Sequence, residues 1–238
     1  MSASTNEQKL EDVFAGVLLG TAVGDALGLP AENLSPECIR KRWKGQWRMR
    51  FLFGRGMISD DTEHTLMVAQ ALLAYPGDAA AFQRTVGWKL RWWFAGLPGG
   101  VGLATAKACL KLWIGFPARR SAVASAGSGP AMRSAIIGAF FAENAERRRA
   151  FVSASSRLTH RGWQAETAAL AVAECAALAL RSGGCAQVQE AVSLLQSLSK
   201  EAEWQSVLSK IEASLTERRT VAEFVRTLGL EQIGRAHV

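Results

Sequence analysis

The residues best suited to chemistry in this chain are Ser59-Asp60-Asp61-Thr62-Glu63, which stand just ahead of the apolar run His64–Leu73. Two adjacent carboxylates between two hydroxyls make a compact set of hard oxygen donors, of the kind taken by Mg²⁺, Mn²⁺ or Ca²⁺. The same letters serve a plainer need. A Ser or Asp followed three residues later by Glu satisfies the first unpaired N–H groups of a helix. A cap needs one side-chain oxygen, however, and neighbouring anions repel unless a cation lies between them. The context decides between the two readings.

Three further stretches carry candidate groups. Asp25 interrupts an apolar helical run, which is costly unless it is paired, so it reads as a member of a buried or capping network or as support for a nearby site. Gly28 and Pro30 stop that run and leave Glu32 in a turn. The loop Ser125-Ala126-Gly127-Ser128-Gly129-Pro130-Ala131-Met132-Arg133 leads into an expected helix from Ser134. A small-residue loop entering a helix with proline in its first turn presents N–H groups at the positive end of the helix dipole. Such an end binds phosphate, and a plain cap explains the same letters. His160 lies in the connection Leu158–Trp163 and by itself reads as a structural or surface histidine.

The elements that must position these groups are helical. Helix-spaced apolar residues begin near Leu10, with Gly16, Gly20 and Gly24 on one face that is expected to be internal. Helices follow from the Asp-Asp motif to about Tyr75, from Asp78 to Phe94, and from Thr105 to Trp113. Trp88, Trp92 and Trp93 read as core. Later helices span 142–157, 164–180, 187–198, 201–215 and 221–228. No stretch alternates with period two, so the fold class is all-α, a globular multi-helix orthogonal bundle. Residues 1–9 read as a polar tail and 10–232 as one domain.

With 238 residues, 49% hydrophobic and 21% charged, the chain has an ordinary globular composition, which excludes a disordered one. A net charge of +7 and a pI near 9.6 suit an anionic partner without naming one. Residues 38–58 hold no acid but carry Arg40, Lys41, Arg42, Lys44, Arg48, Arg50 and Arg55, with Trp43, Trp47, Phe51 and Phe53 among them. That pattern stacks bases and neutralises phosphates, or else is a solvated connection with its aromatics turned inward; the second reading is preferred. Cys38, Cys109, Cys175 and Cys185 show no C-x-x-C spacing and read as reduced thiols. The apolar opening at Phe14 follows acids rather than bases, and the run inside Thr167–Leu180 is too short for a bilayer. The expectation is a cytoplasmic protein with no membrane partner.

Glu32 after a glycine-rich helix end, Ser-Asp-Asp-Thr opening the next helix region, a Gly-Ser-Gly-Pro-Ala-Met-Arg loop and a Thr-His ahead of an alanine-rich helix occur in an order that resembles the ADP-ribosylglycohydrolase family, over residues 13–180. The resemblance implies an all-α hydrolase with two divalent cations, usually Mg²⁺ with Mn²⁺ as a substitute. It would cleave the glycosidic bond joining ADP-ribose to an ADP-ribosylated protein or a small-molecule conjugate. By the same resemblance Ser59, Asp60 and Asp61 are metal ligands, and Glu32, Asp60 and Asp61 are catalytic. Gly127, Ser128, Gly129 and Met132 bind diphosphate and ribose, and His160 lies near substrate. The family's second metal motif, of Asp-x-Asp-Thr type, has no counterpart, because no Asp follows Asp78. The closing Ile233–Val238 resembles a translated sequencing adapter, so the expectation is a reading frame that ran off a DNA fragment and a product inactive alone. The alternatives are a non-catalytic ADP-ribose-binding module and a nucleic-acid binder acting through Arg40–Arg55.

Overall fold

In a computed structural model, which describes residues 3–32 and 34–228, the chain forms twelve α-helices among the described residues. In order they are α1 (Ala3–Gly28), α2 (Pro36–Trp43), α3 (Asp60–Ala74), α4 (Ala79–Ala95), α5 (Leu103–Trp113), α6 (Gly129–Met132), α7 (Ala135–Phe140), α8 (Ala145–Ser156), α9 (Trp163–Arg181), α10 (Val188–Gln196), α11 (Ala202–Thr216) and α12 (Val221–Thr227). No strand occurs among the described residues, so the fold is all-α. The helix expected from Leu10 begins at Ala3 instead, which puts most of the expected polar tail in α1. Residues 233–238 lie outside the described part.

The chain divides into two compact units. The first comprises Met1–Asp25 with Ile58–Ala186, and the second Ala26–Met57 with Gln187–Val238. The core of the first unit is built from Val68 and Leu72 of α3, Phe82 and Leu90 of α4, Ile137 of α7 and Phe151 of α8. Asp78 starts α4 by accepting from the amides of Ala80 and Ala81, both at 2.9 Å, and Asn144 caps α8 at Arg147, also at 2.9 Å. Helices α7 and α9 touch backbone to backbone. A Cβ on Gly138 would sit 2.1 Å from the Ala173 carbonyl oxygen, so only glycine permits this approach. Beside it Arg148 pairs with Glu174 at 2.6 Å, both side chains 3% exposed, and donates also to Phe141 and Ala142 carbonyls.

Two expectations fail in this unit. The Gly16, Gly20 and Gly24 face is open rather than internal, with no atom within 4 Å of where any of their Cβ atoms would stand. The helix packs instead through Phe14, Val17 and Leu18, a neighbouring stripe of the wheel, with Phe14 edge-on to Phe140 at 5.5 Å. By length and composition Glu11–Ala31 is one helix apolar enough to cross a membrane. Trp88 and Trp92 are exposed rather than core, whereas Trp93 packs on the core.

In the second unit, α2 occupies part of the basic segment read as a connection. Ser35 caps it at Cys38, and Pro36 takes its first position. Trp43 is buried, with the guanidinium groups of Arg42 and Arg50 over its ring at 5.3 and 5.6 Å. Helices α10 and α11 pair through Trp204, whose indole N–H donates to the Leu195 carbonyl at 2.8 Å.

Candidate functional site

The Ser-Asp-Asp-Thr motif opens α3, but its cap comes from elsewhere. Ser59 occupies the N-cap position and makes no capping bond with its own side chain. The carboxylate of Asp25, near the end of α1, accepts from the Ser59 amide at 2.7 Å and the Ser59 hydroxyl at 2.7 Å. It also accepts from the Thr62 amide at 3.3 Å and the Thr62 hydroxyl at 2.5 Å. An anion at a helix N-terminus is the arrangement the dipole favours, and here it is buried. Of the readings open for Asp25, the capping network is the observed one. Asp25 thus takes the Ser59 and Thr62 amides at the start of α3, while Asp60 is hydrogen-bonded to its own amide and to the Ser59 hydroxyl.

Asp60 and Asp61 are both half-buried. Burial pushes the Asp60 carboxyl above its ordinary range, and the charges of Asp25 and Glu63 add to this, against its own amide and the Ser59 hydroxyl. One turn on, the Thr65 hydroxyl reaches the Asp61 carbonyl at 2.7 Å and the Met132 carbonyl at 3.3 Å. The acidic helix start and the glycine loop therefore share a corner of the first unit.

The loop is laid along the connection that carries His160. The Val123 amide donates to Thr159 at 3.2 Å, and the Arg161 amide returns to Val123 at 2.9 Å, as a parallel bridge. A Cβ on Gly162 would fall 2.5 Å from the Ser125 carbonyl oxygen. The imidazole of His160 fills the space above the loop: a Cβ on Gly127 would lie 2.9 Å from its Nε2, and one on Gly129 2.8 Å from its Cε1. Both glycines are needed so that the ring can lie against the backbone.

Beneath the loop is Arg133, fully buried. It donates to the Gly129 carbonyl at 3.1 Å, to the Ser155 hydroxyl and carbonyl at 3.0 Å each, and to the Thr159 hydroxyl at 2.8 Å. All four acceptors are neutral. Burial lowers its pKa to about 10, so it remains a cation at neutral pH, with Cys109 and Asp60 acting the other way. The Thr159 hydroxyl, accepting from Arg133, is also hydrogen-bonded to His160 Nδ1 at 2.8 Å. Burial, and then Arg133, lower the His160 pKa to about 4, so the ring is neutral. Its Nε2 lies at the glycine loop, against Gly127.

The helix dipole expected at Pro130 contributes little. Helix α6 is a single turn, interrupted at Arg133 and Ser134 before α7. The amides of Ala131 and Met132 already serve the Ser128 carbonyl. The positive charge of this corner is a buried guanidinium instead.

The structure thus brings together Ser59, Asp60, Asp61, Gly127, Ser128, Gly129, Met132 and His160 within the first unit, while Glu32 belongs to the second and is exposed. Among the described residues, no group of three His, Cys, Asp or Glu side chains converges as a metal site. Two adjacent carboxylates and a hydroxyl still suit Mg²⁺, which binds through one or two carboxylates and keeps several waters.

A family model for ADP-ribosylglycohydrolase matches residues 6–236. The chain belongs to the ADP-ribosylglycohydrolase family. The family is hydrolytic and acts on ADP-ribose linkages. An uncharacterized protein of Archaeoglobus fulgidus is 34% identical over 171 residues, 69% of this chain and 54% of that protein, so the chain spans about half the length of this curated relative.

Within this ADP-ribosylglycohydrolase corner, sequence reasoning left two residues unassigned. Arg133 was legible only as the last letter of the loop motif, and its burial depends on α8 and on Thr159. His64 is 1% exposed, edge-on to Trp93 at 4.4 Å, with neither ring nitrogen hydrogen-bonded. Burial, and then Arg133, hold it neutral, well below its ordinary pKa. The fourfold spacing from Asp60 was the available clue.

Proposed function

We propose that the chain carries the substrate-holding half of a divalent-metal-dependent hydrolase that cleaves the glycosidic bond between ADP-ribose and a modified residue or small acceptor. The observation that supports this reading is the Thr65 hydroxyl, which reaches the Asp61 and Met132 carbonyls and so holds the acidic start of α3 beside the glycine loop. Asp60, Asp61 and the Ser59 hydroxyl would hold Mg²⁺ or Mn²⁺. When bound, such an ion orients sugar hydroxyls and acidifies a water.

The chain's own residues supply the remainder. The loop, backed by the Arg133 cation, receives the diphosphate, and His160 Nε2 faces the same loop. Positive charge develops at the anomeric centre as the bond breaks, and within the first unit Asp60 or Asp61 would move the proton. The protein would work in the cytoplasm on an ADP-ribosylated protein or small conjugate.

Calorimetric titration of ADP-ribose into the full chain, with and without Mg²⁺, tests the reading. Affinity should rise with Mg²⁺, and the gain should vanish in Asp60→Ala with Asp61→Ala. Metal-independent affinity that the double variant leaves unchanged overturns the metal assignment and leaves a binding module.

A further inference from the structure

The outer face of the α4–α5 hairpin inverts the usual distribution of apolar and charged groups. Helix α4 buries Phe82, Val86 and Leu90 and turns Arg84, Trp88 and Trp92 outward at successive turns. Helix α5 buries Ala108, Cys109 and Leu112 and turns out Leu103, Lys107, Leu110 and Ile114. Trp92 meets Trp88 at 5.7 Å and Trp113 at 5.4 Å, both edge-on, so the two stripes join. Single exposed apolar residues need no explanation, but here Leu103 at 70% and Ile114 at 74% exposure accompany three tryptophans on one hairpin.

The charge is as one-sided as the hydropathy. Between Asp78 and Glu143 the chain has no Asp or Glu, while the hairpin carries Arg84, Lys89, Arg91, Lys107 and Lys111. None of these bases is in an ion pair among the described residues. Arg84, Arg91, Trp88 and Phe116 also line a groove of about 220 Å³. It is smaller than the roughly 300–1,000 Å³ of an enclosed ligand site. A phosphate presented at the edge of a larger surface fits it better than a free small molecule does.

Three occupants suit exposed apolar groups, and the charge separates them. A second copy of the same face would set bases against bases with no carboxylate between them. A single-stranded nucleic acid would use the tryptophans and the bases but leave Leu103, Leu110 and Ile114 in water, because bases stack on rings. An anionic bilayer uses all three kinds of group: aliphatic side chains enter the acyl boundary, tryptophans lie at the headgroup level and bases attract the lipid phosphates. We propose that the α4–α5 face docks the protein on an anionic lipid surface, with Leu103, Leu110 and Ile114 inserted and Arg84 and Arg91 on headgroup phosphate. This modifies the expectation of no membrane partner, and it is independent of the Asp60–Asp61 corner.

Co-sedimentation of the full chain with vesicles of phosphatidylcholine alone, or mixed with phosphatidylglycerol, tests the proposal. Binding is expected on the mixed vesicles and not on the neutral ones. Leu103→Glu with Ile114→Glu should weaken it roughly tenfold or more, and Arg84→Gln with Lys107→Gln by roughly fivefold per charge. All four positions are exposed, and an unchanged unfolding midpoint verifies that the variants fold. Equal binding to both vesicle types, or binding that survives Leu103→Glu with Ile114→Glu, overturns the proposal. So does a single-stranded oligonucleotide that displaces the protein from the mixed vesicles and still binds the Leu103→Glu, Ile114→Glu variant, which would assign the face to nucleic acid.

Discussion

The corner around Arg133 and the outer face of the α4–α5 hairpin break the inside-outside rule in opposite directions. In the first, polar and charged groups are buried: Asp25, Arg133, Thr159 and His160. In the second, leucines, an isoleucine and tryptophans stand in water. Asp25 and Arg133 are tolerable there because each is hydrogen-bonded: Asp25 accepts four hydrogen bonds and Arg133 gives four, while His64 in this corner is held neutral with neither ring nitrogen bonded. The exposed set has no such answer within the chain. Buried polar groups therefore mark where the protein is organised internally, and exposed apolar ones where it is organised for something else.

Substitutions separate the two regions by magnitude. The largest effect is expected from Arg133→Met, which leaves the Gly129 and Ser155 carbonyls and the Ser155 and Thr159 hydroxyls without their donor. It should lower the unfolding free energy by about 4 kcal/mol, since each orphaned buried polar group costs about 1–3 kcal/mol. Urea denaturation measures this, and a loss below about 1 kcal/mol would mean that the guanidinium does not organise the corner.

Acid comes next. His160 titrates at about 4 in the folded chain against an ordinary 6.5, so between those values the unfolded chain binds the proton more readily. Stability present above about pH 6.5 is then lost as the pH falls towards 4, by about 3 kcal/mol for this residue. His64 works in the same direction, and Asp60, whose pKa is raised, in the opposite one. Denaturation across this range, repeated with His160→Gln, should show a flatter slope in the variant.

The smallest effect belongs to the outer face. Leu103→Gln with Ile114→Gln should change stability by no more than about 0.5 kcal/mol, as expected of exposed sites. A cost comparable to that of Arg133→Met would show that these side chains are packed in solution and would erase the contrast.

Much of the fold was legible because its signals are local. Asp78 two residues before Ala80 announces α4, and the alanine-rich run after Gly162 announces α9, each within a residue or two. Helix α2 was also announced, by Ser35-Pro36-Glu37, but the surrounding bases drew the reading towards an irregular connection. The open glycine stripe of α1 was misread because spacing fixes which residues share a face and not which face is covered. At the site, the motif letters were legible, and the partners were not. The carboxylate that caps α3 lies 34 residues before Ser59, and the guanidinium that donates to Thr159 lies 26 residues before it. No window along the chain contains such a pair.

The contact between Asp25 and Ser59 has a topological corollary. The first unit's chain departs at Asp25 and resumes at Ile58, and those two points are fastened together by the same carboxylate. The four hydrogen bonds to Asp25 therefore fix the doorway through which the chain leaves the first unit and re-enters it.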